Sequence, residues 1–245
     1  MLGAQVTEVG GRHLQGLDPR DRATRLRLRA PQADQSGLTD LTGVTRLTGL
    51  AHLAALARSG GIVPTRLHLW WSSEAFVTTT DPSRNSLATL AVLGGALTLP
   101  PSNIHAMPSS NGSADPDDAA YAYAKELDGT VFDICLLEIG RGGRVASIFP
   151  RHPSFTAQSG TSQLATGVTD APEGPAEQVT LTYKAINRSR QVWGLACGAE
   201  RAGCLAATLG GDPRTPAARV HGAERTVWFV DRAAASTVPY FQCDL

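Results

Sequence analysis

The sequence predicts an α/β protein: a mostly parallel open sheet with helices on both faces. Three observations carry that expectation. First, Asp133–Pro150 reads DICLLEIGRGGRVASIFP, an apolar run (Ile134, Cys135, Leu136, Leu137) that stops at Glu138 and turns through Gly140, Gly142 and Gly143. This is the pattern of a buried parallel strand ending in a glycine loop that opens a helix. Second, strand-like runs alternate with segments of helical spacing from Arg66 to Val230, as in βα units. Third, no repeat of fixed period is present. Residues are 42% hydrophobic and only 18% charged, enough for a real core and unlike a disordered chain. Ligands of open α/β sheets bind outside the carboxyl ends of the strands, so the glycine loop is the expected place for chemistry.

Residues 1–40 are rich in Arg, Asp, Gln and Gly and read as an irregular lead-in to the same domain, with TRLRLR at Thr24–Arg29 as an edge strand. Residues 41–245 read as one α/β domain, within the size at which such folds stay single. Leu41–Ala57 places Leu and Ala at helical spacing, and Gly60-Gly61 breaks it. Arg66–Trp71 (RLHLWW) reads as a strand, and Ser72–Thr80 as a polar loop at its end with Glu74 its only charge. Asp81–Asn85 (DPSRN) opens a helix to about Leu93. After Pro100-Pro101, Asn103–Met107 is a short strand-like piece. Asp115-Pro116-Asp117-Asp118 starts a helix with acids at the positive end of its dipole, running to Leu127, and Val131–Leu137 is the strand of the glycine loop.

Further on, Gly160–Gly167 reads as loop, Asp170–Pro175 as a turn and Gln178–Tyr183 (QVTLTY) as an alternating strand. Ala185–Arg190 makes one or two helical turns before the strand Gln191–Cys197. Gly198–Leu209 is a helix entered through glycine, and Gly210–Arg219 is a Gly/Pro loop. Thr226–Val230 is the last strand, with Asp231 capping a short helix at Arg232–Ala235.

Basic and acidic residues balance at 22 each, so no global field attracts nucleic acid or an anionic membrane. Cys135, Cys197, Cys204 and Cys243 form no CxxC pair, so zinc spacing is absent, and neither metal nor cofactor is expected. Reduced thiols and a cytoplasmic protein are expected, since Met1–Gly11 lacks a basic start and an apolar core. The weakly polar stretch Leu87–Leu99 is too short to span a bilayer. A small anionic or sugar-derived molecule is the expected partner, bound by a monomer or homodimer.

Four blocks in order then resemble one family. His68–Asn85 (HLWWSSEAFVTTTDPSRN) is similar to a strand, a GDERFVP loop and a helix-opening D-x-x-R-N. Asn103–Pro108 (NIHAMP) resembles NVHPMP, and Leu136–Pro153 (LLEIGRGGRVASIFPRHP) resembles LLGMGPDGHTASLFPGHP. Thr169–Arg201 resembles the T-L-T strand, the A-I-N-x-x-R segment and the G-x-x-K helix. Together they resemble the 6-phosphogluconolactonase family, whose fold is shared with glucosamine-6-phosphate isomerase. The resemblance implies that fold, and metal-free hydrolysis of the lactone ester of a sugar acid phosphate. It implies a His in GHxxSLFP as acid/base, the Asp and Arg of GDER, and glycine amides with basic residues for the anion.

This chain departs from the family at those positions. The motif His is Arg144, a permanent cation that cannot act as a base. The Asp and Arg of GDER are Ser73 and Ala75, leaving Glu74, and Glu138 replaces a glycine. Glu74 and Glu138 each end a candidate strand. They are therefore the expected catalytic pair, with Arg144, if one carboxyl is raised for acid/base work. Ser73, Arg84, Gly140, Arg141, Gly143, Arg190 and Arg201 are the expected substrate-binding residues, with Arg141 and Arg144 at a helix start whose amides favour anions. Glu138 paired with Arg141 or Arg144 as a structural ion pair is the alternative. Three functions follow: an enzyme repurposed to another sugar-derived or anionic substrate, a genuine 6-phosphogluconolactonase with altered residues, or a non-catalytic binding protein. The new charges in the site favour the first.

Overall fold

The computed structural model describes residues 63–94, 98–158 and 160–238. The expected strand at Thr24–Arg29 and helix at Leu41–Ala57 lie outside the described residues.

Parallel strands build the part of the fold that carries the glycine loop. β1 is Leu69–Trp70, β2 is Ser73–Ala75, and β3 (Ile104–His105) pairs in parallel with β1. β4 (Ile134–Glu138) pairs in parallel with β7 (Gln191–Ala196), and β7 with β8 (Arg225–Val230). Glu138 stands opposite Leu195, and Leu195 opposite Phe229, so these residues mark the carboxyl ends of this sheet. β2 instead joins β5 (Ala165–Val168) and β6 (Gln178–Leu181) in an antiparallel sheet of order β2-β6-β5. The sequence reading missed this sheet. Its cause is the short connection 169–177, which returns the chain at once and permits only antiparallel pairing. Ser73–Ala75, read as polar loop, is buried by pairing with β6, and glycine-rich 160–167 contains the start of β5.

The helices are α1 (Asn85–Gly94), α2 (Pro116–Leu127), α3 (Pro153–Thr156), α4 (Tyr183–Asn187) and α5 (Ala202–Leu209). α2 starts as its sequence dictates. The Asp115 carboxylate accepts from the amides of Asp117 (2.9 Å) and Asp118 (2.8 Å), and Pro116 fills a position whose N–H has no helical partner. Asp117 then accepts from Gly167 N at 3.0 Å, tying α2 to β5. Tyr123 is fully buried on α2, and its hydroxyl accepts from Trp71 N and donates to Trp71 O, fixing the chain just after β1. Burial raises its phenol well above the ordinary value. Beside it Trp70 stacks on His105 at 3.8 Å, and His68, His105 and Glu126 form a hydrogen-bonded chain linking β1, β3 and α2.

At the carboxyl ends of β7 and β8, Asp231 accepts from Gly198 N and Ala234 N and anchors the turn after β7. The 3-10 turn that follows β8 is Ala234–Thr237 with Ala233 at its N-cap, so the expected helix at Arg232–Ala235 capped by Asp231 is shifted two residues along. Asn187, in the A-I-N segment, donates to Arg219 O and accepts from His221 N, pinning the loop before β8. The core runs through Leu137, Ile139, Val192, Leu205 and Trp228. β4 was expected to be buried on both faces. Instead Cys135 and Leu137 are buried while Ile134 and Leu136 remain 47% and 49% exposed. Burial pushes the Cys135 thiol up to about 12, so it behaves as a small apolar side chain.

Gly194 is opposite Trp228 in the sheet, and a Cβ there would enter the indole ring. Gly194→Ala is therefore expected to cost about 1–3 kcal/mol, the usual range for overpacking. It would be read as an earlier urea midpoint at unchanged slope; an unchanged midpoint would show that the indole steps aside freely.

Candidate active site

β4 delivers Glu138 to the carboxyl edge of the parallel sheet, and the chain then turns tightly. Arg141–Gly143 is a single 3-10 turn with Gly142 and Gly143 at φ of 60° and 81°. A Cβ at Gly143 would collide with the Thr215 methyl, so this position requires glycine on both counts. No helix follows. Val145 and Ile148 form an isolated bridge, and the next helix, α3, starts at Pro153. The expected helix start at Arg141 and Arg144 is corrected accordingly: the glycines make a tight turn and open no helix of their own.

A cavity of about 440 Å³ lies beside this turn, between the end of β4 and the antiparallel sheet. Its walls bring together Ser73 and Ala75 of β2, Asn85 of α1, Glu138, Arg144, Ser147 and Phe149, and Glu173 and Gln178 from the β5–β6 connection and β6. The Arg144 guanidinium pairs with Glu173 at 3.2 Å and donates to Ala146 O at 2.8 Å. It lies over the Phe149 ring and against Gly140, where a Cβ would come within 2.6 Å of its Nε. Glu138 is mostly buried, and Arg201 approaches it at 4.0 Å. Ser147 donates to Gln178 Oε1 at 2.5 Å, and its amide donates to Thr180 Oγ1. Cys204 Sγ sits 3.7 Å from Gly140 O, and burial raises its thiol, which keeps it protonated.

Of the expected catalytic residues, Glu138 and Arg144 share this cavity and Glu74 does not. The reason is the period of a strand. Ser73 and Ala75 point to the cavity, so Glu74 between them points away. Its carboxylate is 1% exposed and accepts from the amides of Ala75 (3.0 Å), Asn85 (2.5 Å) and Ser86 (2.8 Å). It therefore caps α1 from a distant strand, with Arg84 at 3.8 Å. Arg84 is corrected too: it is 4% exposed and spends its donors on Met107 O, Ala75 O and Ser86 Oγ.

Arg190 stands at the opposite edge of the sheet. It precedes β7 and pairs with Glu224 and Asp133, about 16 Å of strand away from the level of Glu138. Arg201 is buried against Ile139 O, Glu200 and Glu138, so it backs the carboxylate and does not line the cavity. Gly140 and Gly143 shape the turn, and the Arg141 side chain is exposed on its outside. The sequence reading missed Glu173, Gln178 and Asn85 as cavity residues. Glu173 meets Arg144 across 29 positions, and no spacing pattern marks such a contact.

What this arrangement offers is one carboxylate backed by a buried guanidinium, a second guanidinium paired with a second carboxylate, and a set of neutral hydrogen-bonding groups. Among the described residues no group of three or more His, Cys, Asp or Glu is placed to hold a metal ion, and no helix is long and apolar enough to cross a membrane.

Residues 43–228 match the family described as glucosamine-6-phosphate isomerases/6-phosphogluconolactonase. A 6-phosphogluconolactonase of Streptomyces coelicolor is 38% identical over 189 residues, covering 71% of each chain. The crystal structure of a 6-phosphogluconolactonase from Thermotoga maritima superposes with a TM-score of 0.63 at 30% identity, over 74% of this chain and 79% of that one. A monomeric glucosamine-6-phosphate deaminase shares the fold with a TM-score of 0.66 at 20% identity, over 79% and 84% of the two chains.

Proposed function

Since the chain belongs to the glucosamine-6-phosphate isomerase/6-phosphogluconolactonase family, we propose that it hydrolyses the lactone ester of an anionic, sugar-derived acid, using Glu138 and Arg144 where relatives use other residues. One observation carries this reading: the carboxylate and the guanidinium line the same cavity at the end of β4. In this scheme Glu138 takes a proton from water as its oxygen bonds to the lactone carbonyl carbon. Arg144, always protonated, holds the anionic group of the substrate and so positions the carbonyl against Glu138. The ring C–O bond then breaks, and the proton held on Glu138 passes to the departing ring oxygen. One water is consumed and an open hydroxy acid is released. Arg201, 4.0 Å away, backs Glu138 from behind.

The relatives' printed names make 6-phosphogluconolactone the first substrate to try. One observation favours a different anionic substrate: Glu138 places a carboxylate on the cavity wall, which disfavours a highly charged group beside it. The test offers purified protein 6-phosphogluconolactone, unphosphorylated gluconolactone and glucosamine 6-phosphate. Acid release above the spontaneous rate from at least one lactone, and no ammonia from the amino sugar, is expected. Folded protein that opens neither lactone above background would leave the cavity as a binding site only.

A further inference from the structure

We propose that Glu173 is a specificity-determining residue: a built-in anion that occupies the Arg144 guanidinium and is displaced by the anionic group of an incoming ligand. The proposal rests on the reading of this cavity as the substrate site. Its ground is an asymmetry between the two partners. Arg144 is held on several sides: it is 15% exposed, donates to Ala146 O, lies over Phe149 and rests in the space left by Gly140. Glu173 is 37% exposed, and its side chain has the room to move.

The backbone behind Glu173 does not share that freedom. Gln178 Nε2 donates to Glu173 O at 2.7 Å and to Pro175 O at 2.8 Å, while Gln178 Oε1 receives the Ser147 hydroxyl. Ala171 N bonds Ala176 O at 3.0 Å and closes the loop. The connection 169–177 is thus clamped to the wall that carries Ser147. A ligand anion does not need to lift a lid; it needs only to turn one carboxylate outward into water. The exchange is anion for anion on a fixed cation, so it favours groups that bind a guanidinium more strongly than a half-exposed carboxylate does. Phosphate monoesters and carboxylates both offer paired acceptor oxygens of that kind.

Calorimetric titration of the full chain with inorganic phosphate at low salt tests this. Glu173→Gln is expected to bind phosphate about three- to ten-fold tighter than the parent, the scale of a partly exposed ion pair. On an Arg144→Gln background the same change is expected to alter the affinity by less than a factor of about two. No tightening in Glu173→Gln, or equal tightening with and without Arg144, would overturn the proposal, because removal of any negative charge would then explain it. Glu173→Ala, which cannot hydrogen-bond, repeats the comparison. Arms with 6-phosphogluconate and gluconate name the group: a gain confined to the former assigns Arg144 to phosphate, and an equal gain assigns it to carboxylate. None of these readouts uses turnover. Failure here alongside intact lactone opening removes only the role of Glu173, whereas loss of all lactone opening removes the function and leaves the exchange standing.

Discussion

Glu138→Gln is expected to lower kcat/KM for lactone opening by about 10²–10⁴, the range for loss of one positioned acid/base. The amide keeps the shape of the carboxylate but accepts no proton from water and returns none to the ring oxygen. The fold should survive the change, because Arg201 retains Ile139 O and Glu200 as partners. The measurements are initial rates of acid release, corrected for spontaneous opening, alongside a thermal melt of the same preparation. A stable variant that works within a few-fold of the parent would remove Glu138 from the chemistry and send the search to the Ser147–Gln178 wall.

Glu74→Ala is expected to be costly in a different currency. It would leave the amides of Asn85 and Ser86 without their acceptor and Arg84 buried without its counter-charge. Breaking a buried pair by removing one partner costs about 3–5 kcal/mol. For a chain of this size that lowers the melting temperature by roughly 6–20 °C. Activity per folded molecule, measured well below the melt, should stay near that of the parent. A thermally unchanged but inactive Glu74→Ala would place this carboxylate in the reaction after all.

The two carboxylates also show how far the chain could be read without coordinates. Both stand at the end of a candidate strand and both carry charge, so linear pattern treats them alike. Ile134–Glu138 was legible because its apolar run is followed by the glycines of the turn. Ser73–Ala75 was not, since a three-residue strand whose side chains are Ser, Glu and Ala has no hydrophobic signature until β6 pairs with it. Asp115 announced its cap because the amides it accepts from are two and three residues away. Glu74 caps α1 from eleven residues upstream, and Glu173 reaches Arg144 across a whole strand and loop. Local chemistry was readable; contacts set by how two sheets meet were not. The left-handed turn glycines were readable as a turn but not as the end of regular structure, because a helix start and a 3-10 turn use the same residues.

The bare face of Gly140 couples two positions of the turn. A methyl group there would overlap the planar head of Arg144. A side chain gained at 140 while arginine stands at 144 must push that head from its present seat, and with it the pairing to Glu173. Residues 140 and 144 are thus linked through one guanidinium, and laboratory selections that randomise them together will sample working combinations that separate randomisation misses.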